Sequence, residues 1–385
     1  MMSSFFMPGR IISGRQSLES DEAGEIFKKC GKKALIVTGP NIVRLGGCSK
    51  LEKVLGSENI AYVVFSDING EPDDEMVLSG LQMYQKNGCD FLIALGGGSA
   101  IDLMKAVAVL AGGGGSITDY MGTDIDVNTP NMIAVPTTAG TGSEATRFTI
   151  ITDTKRQIKM LLMGETLMPD CAILDPQFTM TVPPSVTAAT GIDALCHCVE
   201  AYTSRKAQTM SDTVAISAVK RIFEYLPVCC RDGGNEQARN QMLLASLEAG
   251  IAFNNSSVTM IHGMSRPIGA LFHVPHGLSN AVLMKDCLSY ALSGAYNRFA
   301  VLGREIGAAE KGDSDEMAAD KFVMAVGNLI EELNIPTLEE YGINKTEFLG
   351  MIEKMADDAM ASGSPSNTIR SVAKEDMIKI YQNLW

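Results

Sequence analysis

The sequence predicts a two-part chain: a parallel α/β layer over residues 1–183, then an all-helical part over residues 184–385. Short β-rich apolar runs alternate with amphipathic helical stretches from Lys33 to about Pro176. After Pro183-Pro184 the texture changes to long segments with apolar residues at helical spacing. At 385 residues the chain also exceeds what one hydrophobic core usually organises.

Three runs anchor the layer: Ala34 to Thr38, Ala61 to Phe65 and Phe91 to Leu95, each followed by a Gly, Asn or Asp turn and then a helical pattern such as Met76 to Tyr84. Met132 to Val135 and Ala172 to Leu174 read as further strands, and the alternation from Arg147 to Met163 reads as a hairpin beside the sheet. The proline pair ends the strand layer and pre-sets a helix start, which places the boundary near residue 184. Beyond it, Val186 to Tyr202, Ser211 to Tyr225, Gln237 to Phe253 and Asp320 to Leu333 carry helical spacing.

Composition narrows the function. With 46% hydrophobic and 20% charged residues, disordered and fibrous readings fall away. A net charge of -13, from 32 Lys+Arg against 45 Asp+Glu, is the wrong sign for gripping phosphodiester backbones, so no nucleic-acid partner is expected. The nine cysteines show no C-x-x-C spacing and read as reduced thiols. No apolar stretch is long enough to cross a bilayer and the first residues carry no leader-like apolar run, so a cytoplasmic address without a membrane partner is expected.

Two loops follow strand ends. Gly96-Gly97-Gly98-Ser99-Ala100-Ile101-Asp102 opens a helix, where side-chain-free backbone and the helix N-terminus suit a pyrophosphate. It departs from G-x-G-x-x-G, since Ile101 holds the third glycine position, and a ligand-free tight turn is the other reading. Pro136-Thr137-Thr138-Ala139-Gly140-Thr141-Gly142-Ser143-Glu144 is dense in hydroxyls and glycine. Alone it reads as a surface turn, but two such loops on one sheet favour a nucleotide.

The chain has only four histidines, His197, His262, His273 and His276. Asp193 and His197 lie four apart within a helical segment, so both project from one face and converge on a single ion, or form an ordinary hydrogen-bonded pair. His262 and His276 come from a different helix and loop and complete a set of one carboxylate and three imidazoles, which suits Fe(II) or Zn(II) and not Ca(II). Glu200 reads as a carboxylate behind the site or on the surface, and Cys196 and Cys198, on other helical faces, as core packing.

Taken together, the glycine loop at 96–102, the hydroxyl loop at 136–144, Thr187 to His197, and His262 to Gly277 resemble the iron-containing, group III alcohol dehydrogenases in four ordered motifs spanning nearly the whole chain. The resemblance implies an NAD(P)-binding α/β domain and a helical metal-binding domain, in a dehydroquinate synthase-like architecture. It also implies an active site in the cleft between them, and a homodimer or higher homo-oligomer. It implies metal ligands at Asp193, His197, His262 and His276. It implies cofactor contacts at Gly96, Gly97, Gly98, Ser99, Asp102, Thr137, Thr138, Thr141 and Thr146, with Lys159 matching a lysine near the cofactor. The implied activity is interconversion of a small aldehyde and its alcohol with NAD or NADP and Fe2+ or Zn2+. A dehydroquinate synthase-like lyase and a hydroxyacid-oxoacid transhydrogenase are the alternatives.

Two departures bear on specificity. Position 266, where many relatives carry a second His, is Arg266, whose fork suits a carboxylate or sulfonate. Arg266, with His273, is expected either to bind the anionic tail of a substrate of the sulfoacetaldehyde or succinic semialdehyde type, or to pair with a structural acid. Gly39 stands where NAD-preferring relatives often have Asp, which removes the repulsion of a 2′-phosphate and leaves NAD and NADP both open.

Overall fold

The computed structural model describes residues 4–68 and 70–385. The chain forms two compact units, Phe6–Thr181 and a helical one of Val182–Trp385 to which Ser4 and Phe5 belong.

In the first unit, strands β1 (Arg10–Ser13), β2 (Lys33–Thr38), β3 (Ala61–Phe65), β4 (Phe91–Gly96) and β5 (Met132–Pro136) are followed by the pair β6 (Phe148–Asp153) and β7 (Ile158–Met163), then β8 (Cys171–Leu174). Six of these form one sheet in the order β1-β8-β5-β4-β2-β3, every pairing parallel, while β6 and β7 pair antiparallel with each other. Helices α1 (Asp21–Cys30), α2 (Pro40–Arg44), α3 (Cys48–Ser57), α4 (Asp74–Lys86) and α5 (Gly98–Gly113) connect them.

Alternate residues of the central strands enter two different cores. Leu35, Val37, Leu92 and Ala94 pack with α5, whereas Ala34, Ile36, Ile93 and Leu95 pack with residues of α1 and α3. Burial on both faces explains why these strands read as unbroken apolar runs. The register then does something for function. Gly96 pairs with Pro136, and Thr38 with Leu95, so the glycine loop, the hydroxyl loop and Gly39 all leave the same end of the sheet side by side.

The second unit contains α6 (Pro184–Tyr202), α7 (Thr209–Arg231), α8 (Glu236–Ser256), α9 (Met260–Phe272), α10 (His276–Ala291), α11 (Tyr296–Glu305), α12 (Asp315–Glu332), α13 (Lys345–Ala361) and α14 (Lys374–Asn383). Proline at the start of α6 fits a first turn, where its missing N–H has no partner to lose. From Gly191 to Tyr202 every residue of α6 is buried, Asp193, His197 and Glu200 among them. Buried charge of this kind must be paired or bind a counter-ion. Among the described residues no helix is long and apolar enough to cross a membrane.

Candidate metal centre and nucleotide groove

Asp193, His197 and Glu200 occupy successive turns of α6 and leave it from one stripe. His262 sits in the first turn of α9, and His276 is the first residue of α10. Gly277 allows α10 to begin against α6, since a Cβ there would lie 2.4 Å from Ala189 O. One donor atom each from Asp193, His262 and His276 therefore lies within 4.8 Å of the others. Asp193 Oδ1 is 3.6 Å from both His262 Nε2 and His276 Nε2.

His197 stands beside these three rather than among them. Its ring stacks on His262 with centroids 4.4 Å apart and on Phe253 at 4.3 Å. Its Nδ1 is buried without a hydrogen-bond partner, a state that costs roughly 1–3 kcal/mol if nothing relieves it. Asn280, one turn beyond His276, directs its amide into the middle of the cluster: Nδ2 lies 2.7 Å from Asp193 Oδ1, 3.2 Å from His262 Nε2 and 3.3 Å from His276 Nε2. The amide is thus shared between a carboxylate oxygen and two ring nitrogens. A carboxylate and two ring nitrogens converging on one point, with an orphaned imidazole nitrogen alongside, fit a divalent cation, and the N/O donor set suits Fe(II) or Zn(II).

Electrostatics agree. Burial opposes charge on Asp193, but the fields of His197 and His276 and the contact with His262 outweigh it and hold the carboxyl well below its usual range. Burial pushes His197 down to about 3 despite Asp193, which leaves a neutral ring with a lone pair to offer. For His262 the carboxylates win over burial and raise it to about 9. Glu200 stays ionised because His262 and its hydrogen bonds outweigh its burial. A ring between two buried carboxylates marks a pocket with surplus negative charge.

In the α/β unit, a groove of about 490 Å³ is lined by Gly39, Gly96, Gly97, Gly98, Ser99 and Thr138. A Cβ at Gly97 would come 3.2 Å from Thr138 Oγ1, and one at Gly98 would come 3.0 Å from Thr141 Cγ2, so the two loops touch only because the first lacks side chains. No side chain caps α5, so the N–H groups of Gly98 and Ser99 at its start suit an anion, while Ala100 N–H donates to Gly97 O at 3.1 Å.

The other expected contacts are engaged with protein groups. Thr137 is buried and its N–H donates to Gly96 O at 3.0 Å, while Thr141 Oγ1 accepts from Ser143 N–H at 3.3 Å. Asp102 accepts from Ile150 N–H at 3.0 Å, and Thr146 Oγ1 accepts from the buried Lys105 Nζ at 2.9 Å. Lys159, on β7, pairs with Glu71 at 2.6 Å. Arg266, one turn after His262, donates to Ser364 Oγ at 3.1 Å and, among the described residues, has no carboxylate within ion-pair distance. Its neighbour in expectation, His273, is an exposed residue in a left-handed conformation (φ 54°) at the C-terminal end of α9.

The sequence profile described as "Iron-containing alcohol dehydrogenase" matches residues 8–176, and that described as "Fe-containing alcohol dehydrogenase family, C-terminal" matches residues 187–385. The chain belongs to the iron-containing alcohol dehydrogenase family. It is 33% identical over 385 residues to the NAD-dependent methanol dehydrogenase of Bacillus methanolicus, covering 99% of this chain and 100% of that protein. A solved 1,3-propanediol oxidoreductase has a TM-score of 0.96 at 32% identity over 100% of both chains. A sulfoacetaldehyde reductase from Bifidobacterium kashiwanohense, solved in complex with NAD+, has a TM-score of 0.88 at 28% identity over 100% of this chain and 99% of that one. This alcohol dehydrogenase is accordingly an NAD(P)-dependent oxidoreductase of an iron-using family, and the lyase and transhydrogenase alternatives are not favoured.

Proposed function

We propose that this alcohol dehydrogenase reduces a small aldehyde that carries an anionic tail, and that Arg266 binds that tail. The observation that carries the reading is a partly buried guanidinium, one helical turn from His262, whose hydrogen bond goes to a neutral hydroxyl and not to a carboxylate. Burial lowers the pKa of Arg266 against the opposing field of Glu200, yet a guanidinium stays charged and its planar fork matches carboxylate or sulfonate oxygens. The similarity to a sulfoacetaldehyde reductase supports this substrate class.

In this reading Asp193, His197, His262 and His276 hold the ion, and Gly96, Gly97, Gly98 and Ser99 cradle the pyrophosphate at the start of α5, with Gly39 and Thr138 beside it. When bound, the ion supplies Lewis acidity toward the carbonyl oxygen and the nicotinamide supplies the hydride. The protein's own share is positional. Asp193 stays ionised, His197 stays neutral, and Arg266 fixes the tail so that the carbonyl end is presented in one orientation. A side chain at Gly39 would meet nothing within 4 Å, so packing does not forbid an acid there, and its omission supports acceptance of both NADH and NADPH.

The test compares kcat/KM for sulfoacetaldehyde and succinic semialdehyde with that for propanal, using NADH and NADPH in parallel. Arg266→Ala should lower the anionic values by about 10–100-fold, the worth of a charged hydrogen bond, and leave propanal nearly unchanged. Equal losses on all three aldehydes would refute the role of Arg266, and an absolute requirement for one nucleotide would refute the reading of Gly39.

A further inference from the structure

Helix α9 has no capping side chain from its own N-cap residue, and the carboxylate that serves its first turn comes from α6. Glu200 Oε1 accepts from Thr259 Oγ1 at 2.7 Å, from Ile261 N–H at 2.7 Å and from His262 N–H at 3.4 Å. The other oxygen, Oε2, contacts His262 Nδ1. Both oxygens are therefore engaged, and the side chain is only 1% exposed.

A neutral imidazole has one nitrogen that donates and one that accepts, and its neighbours decide which is which. An ionised carboxylate can only accept. With Glu200 against Nδ1 and Asp193 Oδ1 3.6 Å from Nε2, each ring nitrogen faces a carboxylate; an ion entering on the Asp193 side displaces the Nε2 proton and leaves Nδ1 protonated against Glu200. We propose that Glu200 is a positioning residue that locks the tautomer and orientation of His262, so that Nε2 is free to bind a divalent ion. The proposal rests on the metal-centre reading above. By capping α9, the same carboxylate also fixes where His262 starts relative to α6, the helix that carries Asp193.

Glu200→Gln keeps the shape and an oxygen for Thr259 and Ile261, but its NH2 donates toward Nδ1 and favours the tautomer with hydrogen on Nε2. Zn(II) affinity, measured by competition with a chelator, should fall about 10–100-fold, while the metal-free variant unfolds within a few degrees of the wild type. A merely capping role, which the retained oxygen still fills, predicts Zn(II) affinity within about twofold of wild type, and that result would overturn the proposal. A second measurement needs no variant. With only four histidines, the 15N spectrum of the Zn(II)-loaded wild type is assignable, and His262 should show a protonated Nδ1 with Nε2 on the metal. An unprotonated Nδ1 overturns the tautomer lock. A wild-type chain that takes up no Zn(II) overturns the metal centre itself, a distinguishable failure that removes this role for Glu200 with it.

Discussion

Lys105 in the α/β unit and the Asp193 cluster in the helical unit both bury charge, but they balance it differently. Lys105 Nζ is completely buried and meets Ser143 O at 2.7 Å, Thr146 O at 2.7 Å, Phe148 O at 2.8 Å and Thr146 Oγ1 at 2.9 Å. Asp102, on the same helix, takes Ile150 N–H, so α5 grips the segment after the hydroxyl loop with a cation and an anion of its own. Around Asp193 a carboxylate and imidazoles converge with, among the described residues, no lysine or arginine paired to them, and the amide of Asn280 is shared three ways. A buried cluster that contains its own cation is finished as structure. One balanced by an imidazole, whose ring proton a metal can displace, is built to receive an ion.

The contrast predicts that the Lys105 cluster responds to mutation through stability. Lys105→Met leaves the carbonyls of Ser143, Thr146 and Phe148 and the charge of Asp102 without their cation, and should cost roughly 3–5 kcal/mol in urea unfolding. Zn(II) affinity should not change, because none of these groups belongs to the helical unit. A loss below about 1 kcal/mol would mean that the lysine is not balancing buried charge.

A smaller effect tests the same cluster by pH. Glu144 is 1% exposed, its Oε1 has no hydrogen-bond partner, and burial raises it to about 7 against the opposing field of Lys105. The folded state therefore holds a proton that the unfolded state releases near 4.5. That contribution is fully present below the unfolded value and is lost as pH rises toward 7. Wild-type unfolding free energy should fall across this window by on the order of 1–3 kcal/mol more than that of Glu144→Gln. Parallel profiles would show that Glu144 ionises normally.

How far each region could be read from the sequence follows from the same physics. β2, β4 and β5 are buried on both faces and announced themselves as apolar runs; β1, a four-residue edge strand that pairs only with β8, carried no such pattern. Asp193 and His262 stood out because histidines are scarce and the spacing is helical. Glu200 was visible only as a charge inside the otherwise apolar end of α6, one turn on from His197, and its partners are 59–62 residues away. Asn280 falls one turn after His276, a position that acquires meaning only when α10 packs on α6. Lys105 likewise interrupts an apolar helix, but its carbonyl partners lie 38–43 residues on, where no local pattern points to them.

Anomalous diffraction at the iron or zinc edge from metal-loaded crystals decides whether the lone pairs around Asp193 serve one ion. A single peak per chain is expected about 2.0–2.2 Å from an Asp193 oxygen and from ring nitrogens of His197, His262 and His276. No peak at that position, or one held by other side chains with these four uninvolved, contradicts the account.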